Sequence, residues 1–182
     1  MNEKKLDIKV GFIIANKDFR NEEYFEPRKV LEKAGLSIVT IAMEKGLCIG
    51  KLGGEVFADV AIKDVKIQEQ NFSAIIFVGG SGSKIYWHNE FAQNICRLII
   101  EKYPNKILAA ICSSVATLAF AGVLKNIKAN SYQSEREIIK EYGAILMDDD
   151  IVVDVNDKHK IITANGPKVA KLFGEEILKH LN

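Results

Sequence analysis

The chain has 182 residues, 48% of them hydrophobic and 27% charged, with a net charge of +1. That length suits one soluble domain over residues 1–182 with room for a substantial core. No basic stripe concentrates the positive field that phosphate binding needs, so nucleic acid is not expected as the main partner. No apolar run reaches the roughly 18–20 residues of a membrane span, so no membrane partner is expected. The charged start, MNEKKLDIKV, lacks the apolar core of a signal peptide. Cys48, Cys96 and Cys112 form no CxxC pair and no disulfide framework, which points to a reducing cytoplasm. His88, His159 and His180 lie outside any ligand spacing, so no metal is expected.

Residues 9–15, KVGFIIA, read as a buried strand behind a charged lead-in. A polar loop over 16–21 precedes a helix over 22–34, with Tyr24, Phe25, Val30, Leu31 and Ala34 at helical spacing and Gly35 as C-cap. Proline is tolerable only near a first turn, so Pro27 places the start of regular helix close to Glu26 and leaves Glu23 at the strand–helix junction. Residues 36–42 form a second strand, parallel to the first by the geometry of a βαβ unit. The glycine-rich stretch 43–63 reads as a small hairpin or edge insertion, and 64–70 as a short polar helix or turn. The third strand, 74–78, ends on Gly79-Gly80-Ser81-Gly82-Ser83. A helix over 90–102 puts Phe91, Ile95, Leu98 and Ile99 on one face before Pro104 closes it.

Residues 106–124, KILAAICSSVATLAFAGVL, are the centre of the pattern. The run 107–111 reads as a fully buried strand, Cys112 stands at its end, and an Ala-rich helix follows as far as Gly122. A short strand is expected over 128–132, then a helix over 134–142 capped by Ser134 and ended by Gly143. Strands at 144–146, 151–153 and 161–164 follow, with a solvated acidic turn at 148–150 and a polar turn over 154–160. The closing helix, 168–181, is expected to turn Val169, Leu172, Phe173, Ile177 and Leu178 inward. Strands alternating with helices make a doubly wound α/β domain.

In such sheets ligands sit beyond the carboxyl ends of the strands. Three junctions of that kind carry chemistry: Glu23 after the first strand, Gly79–Gly82 after the third and Cys112 after the fourth. A strand that turns straight into a helix presents its junction side chain as a nucleophile. The helix aims unsatisfied N–H groups and the positive end of its dipole at that side chain. A thiol there is expected to ionise below the free-cysteine value of about 8.5; the alternative is that Cys112 is a small buried hydrophobe. A carboxyl beside the thiol can donate a hydrogen bond when protonated or act as general base toward a substrate. Otherwise Glu23 is an exposed glutamate favoured by the helix dipole. Gly79 and Gly80 let backbone N–H groups approach an oxyanion, with the Ser113 N–H as second donor. The alternatives are a tight turn or a phosphate cradle, although no GxGxxG or P-loop pattern is present. His88 follows Trp87 just past this loop; it either reaches the site or is a surface histidine.

The segment AAICSSVATLAFAGVL resembles the elbow of the ThiJ/PfpI superfamily, and the similarity runs over roughly residues 9–181. EEYFEPRKVLEKAG is similar to the family's segment in which an acidic residue stands four before a proline and twelve before a glycine, a register that selects Glu23. FVGGSGS resembles the glycine loop after the third strand, and ITANGP, at Gly166-Pro167, the last strand before the closing helix. The resemblance implies a flavodoxin-like doubly wound sandwich with a mostly parallel central sheet, like that of class I glutamine amidotransferases. It also implies a homodimer that needs no cofactor. Cys112 would be nucleophile or oxidation site, Glu23 its hydrogen-bonded partner, and Gly80 and Ser113 the backbone donors; Gly79, Tyr132 and His88 are further substrate-site candidates. Two positions depart from the family pattern. Ser113 stands where the protease-like branch has histidine, and Tyr132 where the deglycase branch has one.

The resemblance thus implies a cysteine-dependent stress-response protein of the deglycase-like branch. It would act on small reactive carbonyls such as methylglyoxal, with Glu23 as proton shuttle. One alternative is a non-enzymatic redox sensor or chaperone in which Cys112 becomes a sulfinic acid stabilised by Glu23. Another is an intracellular cysteine peptidase, against which Ser113 argues.

Overall fold

The computed structural model describes residues 8–181, so the charged lead-in over 1–7 lies outside the described residues. In chain order the elements are β1 (Lys9–Ile13), β2 (Lys17–Phe19), α1 (Asn21–Lys33), β3 (Ser37–Ala42), β4 (Gly46–Gly50), β5 (Glu55–Ala58), β6 (Val60–Ala61) and β7 (Phe72–Phe77). They continue with α2 (Glu90–Lys102), β8 (Ile107–Ile111), α3 (Val115–Phe120), β9 (Lys128–Ala129), α4 (Arg136–Glu141), β10 (Ile145–Leu146), β11 (Ile151–Asn156), β12 (His159–Ala164) and α5 (Ala170–His180). Runs without polar alternation must be covered on both faces, so they become the inner strands of a sheet. Here they build a seven-stranded sheet in the order β11-β12-β8-β7-β1-β3-β6. Every pairing in it is parallel except that of β11 with β12.

Alternate side chains of one strand enter opposite cores. Ile107, Ala109 and Ile111 of β8 pack with Tyr24 and Leu31 of α1 and with Phe173 and Ile177 of α5. Leu108 and Ala110 pack with Ile95 and Ile99 of α2 and with Val115 and Leu118 of α3. The doubly wound, mostly parallel α/β architecture is therefore the one that forms. The glycine-rich stretch makes the expected hairpin, β4 with β5.

Several boundaries move, each for a tertiary reason. The polar loop 16–21 contains β2, because the hairpin supplies it with backbone partners: Ile49 N–H donates to Asn16 O and Lys51 N–H to Phe19 O, each at 2.9 Å. Helix α1 starts at Asn21 and carries Pro27 inside it. It closes on α5 at that point, where a Cβ on Gly174 would stand 2.6 Å from Pro27 Cα; this packing holds the helix through a residue that weakens it locally. The polar turn 154–160 shrinks to two residues, because Asn156 Oδ1 accepts from the N–H groups of Lys158 and His159 and the strands pair up to Asn156 and His159. Ser134 does not cap α4; its hydroxyl donates to Glu135 Oε2 at 2.8 Å, and the helix begins at Arg136. The strand expected over 128–132 is only β9. Phe91 and Leu172 are 48% and 55% exposed rather than buried. Each precedes by one position, and so points about 100° away from, the stripe that starts at Ala92 or Phe173.

Candidate active site

In the sheet β7 lies between β1 and β8, so the segments leaving these three strands are neighbours. They carry Glu23 in the first turn of α1, Gly79-Gly80 after β7 and Cys112 after β8. Arg20 N–H donates to Gly79 O at 3.0 Å and ties the first segment to the second.

Cys112 has φ +63°, a left-handed conformation that costs a non-glycine residue on the order of 1–3 kcal/mol. The next two residues hold it there. The Ser114 hydroxyl lies 2.7 Å from Phe77 O and 2.8 Å from Ile111 O, and accepts the Ile111 N–H at 3.2 Å. The Ser113 hydroxyl lies 2.9 Å from Ser83 Oγ and 3.0 Å from Gly80 O, and Ser113 O accepts the Trp87 indole N–H at 3.1 Å. The elbow is thus pinned to both the strand and the glycine loop.

Glu23 is wholly buried. Its Oε2 accepts the Gly79 N–H at 2.9 Å, while Oε1 has no hydrogen-bond partner. Burial raises the Glu23 pKa to about 8, against the pull of the Cys112 thiol, the Gly79 N–H and the Arg20 cation. The carboxyl therefore keeps its proton at neutral pH. A Cβ on Gly79 would fall 2.5 Å from Glu23 Oε2 and 2.7 Å from Cys112 Cβ, so only glycine leaves room for the pair.

The Cys112 thiol is pushed up to about 12, first by burial and then by the charge of the neighbouring Glu23 carboxyl. The N–H groups of Ser113 and Gly80 pull the other way. The net direction is opposite to that expected from a helix N-terminus alone. Helix α3 has only six residues, and its dipole does not offset desolvation. A proton on Glu23 removes the opposing charge, and the carboxyl can then donate to the sulfur. Glu23→Gln will accordingly lower the thiol pKa; thiolate absorbance against pH, with Cys112→Ser as blank, measures it.

Cys112, Glu23, Gly80, Ser113 and Tyr132 line one cavity of about 280 Å³. The DJ-1/PfpI family model matches residues 8–180. The chain belongs to the DJ-1/PfpI family. It is 43% identical over 185 residues to the uncharacterized protein MJ0967 of Methanocaldococcus jannaschii, covering 98% of this chain and 86% of that one. To the deglycase PfpI of Pyrococcus furiosus it is 32% identical over 149 residues, covering 82% and 87%. The crystal structure of a ThiJ/PfpI domain protein from Brachyspira murdochii superposes with a TM-score of 0.88 at 31% identity, covering 96% of each chain.

In this DJ-1/PfpI chain the remaining expected positions separate. Tyr132 is 48% exposed on the cavity wall, and its N–H donates to Cys112 O at 3.4 Å. Gly79 lies behind the pair rather than on the wall. His88 packs against Phe120 with the rings tilted by 55° and their centroids 4.2 Å apart, and does not line the cavity. Sequence reasoning missed Glu135, which is 2% exposed and lines the cavity, together with Arg20, Lys51 and Lys84. Glutamates in a first helical turn are common for dipole reasons, so Glu135 carried no distinguishing signal. Among the described residues no group of three His, Cys, Asp or Glu side chains is placed to hold a metal ion, and no helix is long and apolar enough to cross a membrane.

Proposed function

We propose that the chain is a cytoplasmic enzyme that converts small reactive carbonyls to hydroxy acids through Cys112, with Glu23 moving the protons. The observation that carries this reading is a buried carboxyl of pKa about 8 interacting with a cysteine at a cavity. Groups that titrate near the operating pH suit general acid–base work. The name deglycase on the Pyrococcus relative supports the same substrate class.

With methylglyoxal, the Cys112 sulfur adds to the aldehyde carbon, C1. The ionised fraction of Glu23 takes the thiol proton as the bond forms and passes it to the alkoxide, giving a neutral hemithioacetal. The carboxylate then takes the proton from C1 and returns it to C2, while the C1 hydroxyl proton passes to the C2 oxygen. C1 is oxidised as C2 is reduced, so no external electron acceptor takes part. The product is a lactoyl thioester, which water cleaves to lactate and the free sulfur. The test is lactate formation from methylglyoxal by the wild-type and Cys112→Ser proteins.

A second reading is favoured by the buried, unpartnered Oε1 of Glu23. In it Cys112 is a redox sensor: two peroxide molecules each deliver one oxygen and leave as water, and the sulfinate is held by protonated Glu23 and the nearby N–H groups. Mass spectrometry after mild peroxide will find two added oxygens on Cys112 before any on Cys48 or Cys96, both wholly buried. Oxidation of the three cysteines at equal rates removes this reading.

A further inference from the structure

Lys51 and Lys84 line the same cavity as Cys112. Among the described residues neither makes an ion pair, whereas Arg20 is closed onto Glu22 through bonds of 2.9 and 3.0 Å. The same cavity is lined by Glu23, which holds its proton at neutral pH, and by Glu135, whose Oε2 accepts the Ser134 hydroxyl. Two lysines without ion pairs therefore line the cavity.

Both lysines are exposed, on turns that are tied to the framework of the sulfur. The Lys51 N–H donates to Phe19 O at 2.9 Å, and the following Leu52 N–H to Asn21 Oδ1 at 2.9 Å. Gly50 and Gly54 admit Asn21 so closely that a Cβ on either would fall 2.4 or 2.3 Å from its side chain. Lys84 Nζ stands 5.0 Å from the centroid of Trp87, whose indole N–H holds Ser113 O. The lysine-bearing turns are thus keyed to the start of α1 and to the elbow.

We propose that the electrophile this site prefers over a neutral one such as methylglyoxal carries its own negative charge, a carboxylate or phosphate group beside the reactive carbonyl, held by Lys51 and Lys84 while Cys112 adds. The proposal rests on Cys112 being the nucleophile, but its test needs no turnover. Iodoacetate and iodoacetamide both alkylate a thiol by displacement of iodide and differ in charge. Their rates at Cys112, read by peptide mass, will give an iodoacetate-to-iodoacetamide ratio about 3–10-fold above that of glutathione. The ratio will fall to the glutathione value in the Lys51→Gln/Lys84→Gln double variant and in about 0.5 M salt. A wild-type ratio at or below that of glutathione, or one that survives the double substitution, overturns the proposal.

Thermal unfolding gives a second arm that does not need the sulfur to react. Stabilisation by oxalate, lost in the double variant, assigns the charge to a carboxylate; stabilisation by inorganic phosphate, lost in the same way, assigns it to a phosphate. Stabilisation by neither overturns the proposal. Absent turnover with a raised alkylation ratio would remove the enzymatic reading and leave the anion site standing. Turnover with a flat ratio would remove the anion site alone.

Discussion

Serine in place of Cys112 will lower the conversion of methylglyoxal by at least about 10³-fold with the fold intact. A serine hydroxyl is a far weaker acid than a thiol, and this site already resists forming an anion at position 112. Among the described residues no histidine lies on the cavity wall to activate it; His88 is held on Phe120, and the Ser113 hydroxyl is tied to Ser83 and Gly80. Glu23→Gln sharpens the argument, because it moves two properties in opposite directions. The thiol pKa will fall, since the charge that raises it is gone, and turnover will nevertheless drop by about 10²–10⁴-fold, the range of a lost general acid–base group. Were Glu23 only an influence on thiol ionisation, the same substitution would speed the reaction. Lactate formation by the three proteins decides the matter, and a Cys112→Ser protein that retains turnover removes the proposed function.

The same Glu23→Gln substitution will stabilise the protein, and only at higher pH. Burial raises the Glu23 pKa from 4.5 to about 8, so the folded state holds the proton more tightly than the unfolded chain does. Stability linked to this group is fully present below about pH 4.5 and is lost progressively as pH rises toward 8. Every tenfold gain in proton affinity on folding is worth about 1.4 kcal/mol, so the loss near neutral pH is on the order of 2–3 kcal/mol. For a chain of this length that is roughly 4–12 °C in unfolding temperature. Glutamine keeps an acceptor for the Gly79 N–H and never has to ionise. The variant will therefore melt above the wild type at pH 8 and level with it near pH 4. A difference that is the same at both pH values would mean that Glu23 is not a buried acid in solution.

The residue chemistry of the site and the order of its elements were written locally. A short apolar run bounded by turn residues reads as an inner strand, a cysteine at the end of one meets the helix that follows, and the resemblance to the ThiJ/PfpI superfamily, through the register of Pro27 and Gly35, singled out Glu23 among several glutamates. The glycines at 79 and 80 were equally visible; a Cβ on Gly79 would strike the Glu23 and Cys112 side chains, and one on Gly80 the backbone of Asp18 and Arg20. Packing decided the rest. Pro27 sits inside α1 because Gly174 lets α5 close on it, and β2 exists because the hairpin lends it partners. The raised pKa of Cys112 depended on how deeply the sulfur is buried and on a carboxyl brought from a distant part of the chain. Lys51, Lys84 and Glu135 belong to three separate segments and become neighbours only where the β4–β5 turn, the glycine loop and the start of α4 converge on one cavity. Apolar periodicity acts between residues a few positions apart and so can be read along the chain. Desolvation and charge act through space, and which groups they join is settled only once the sheet has aligned its strand ends.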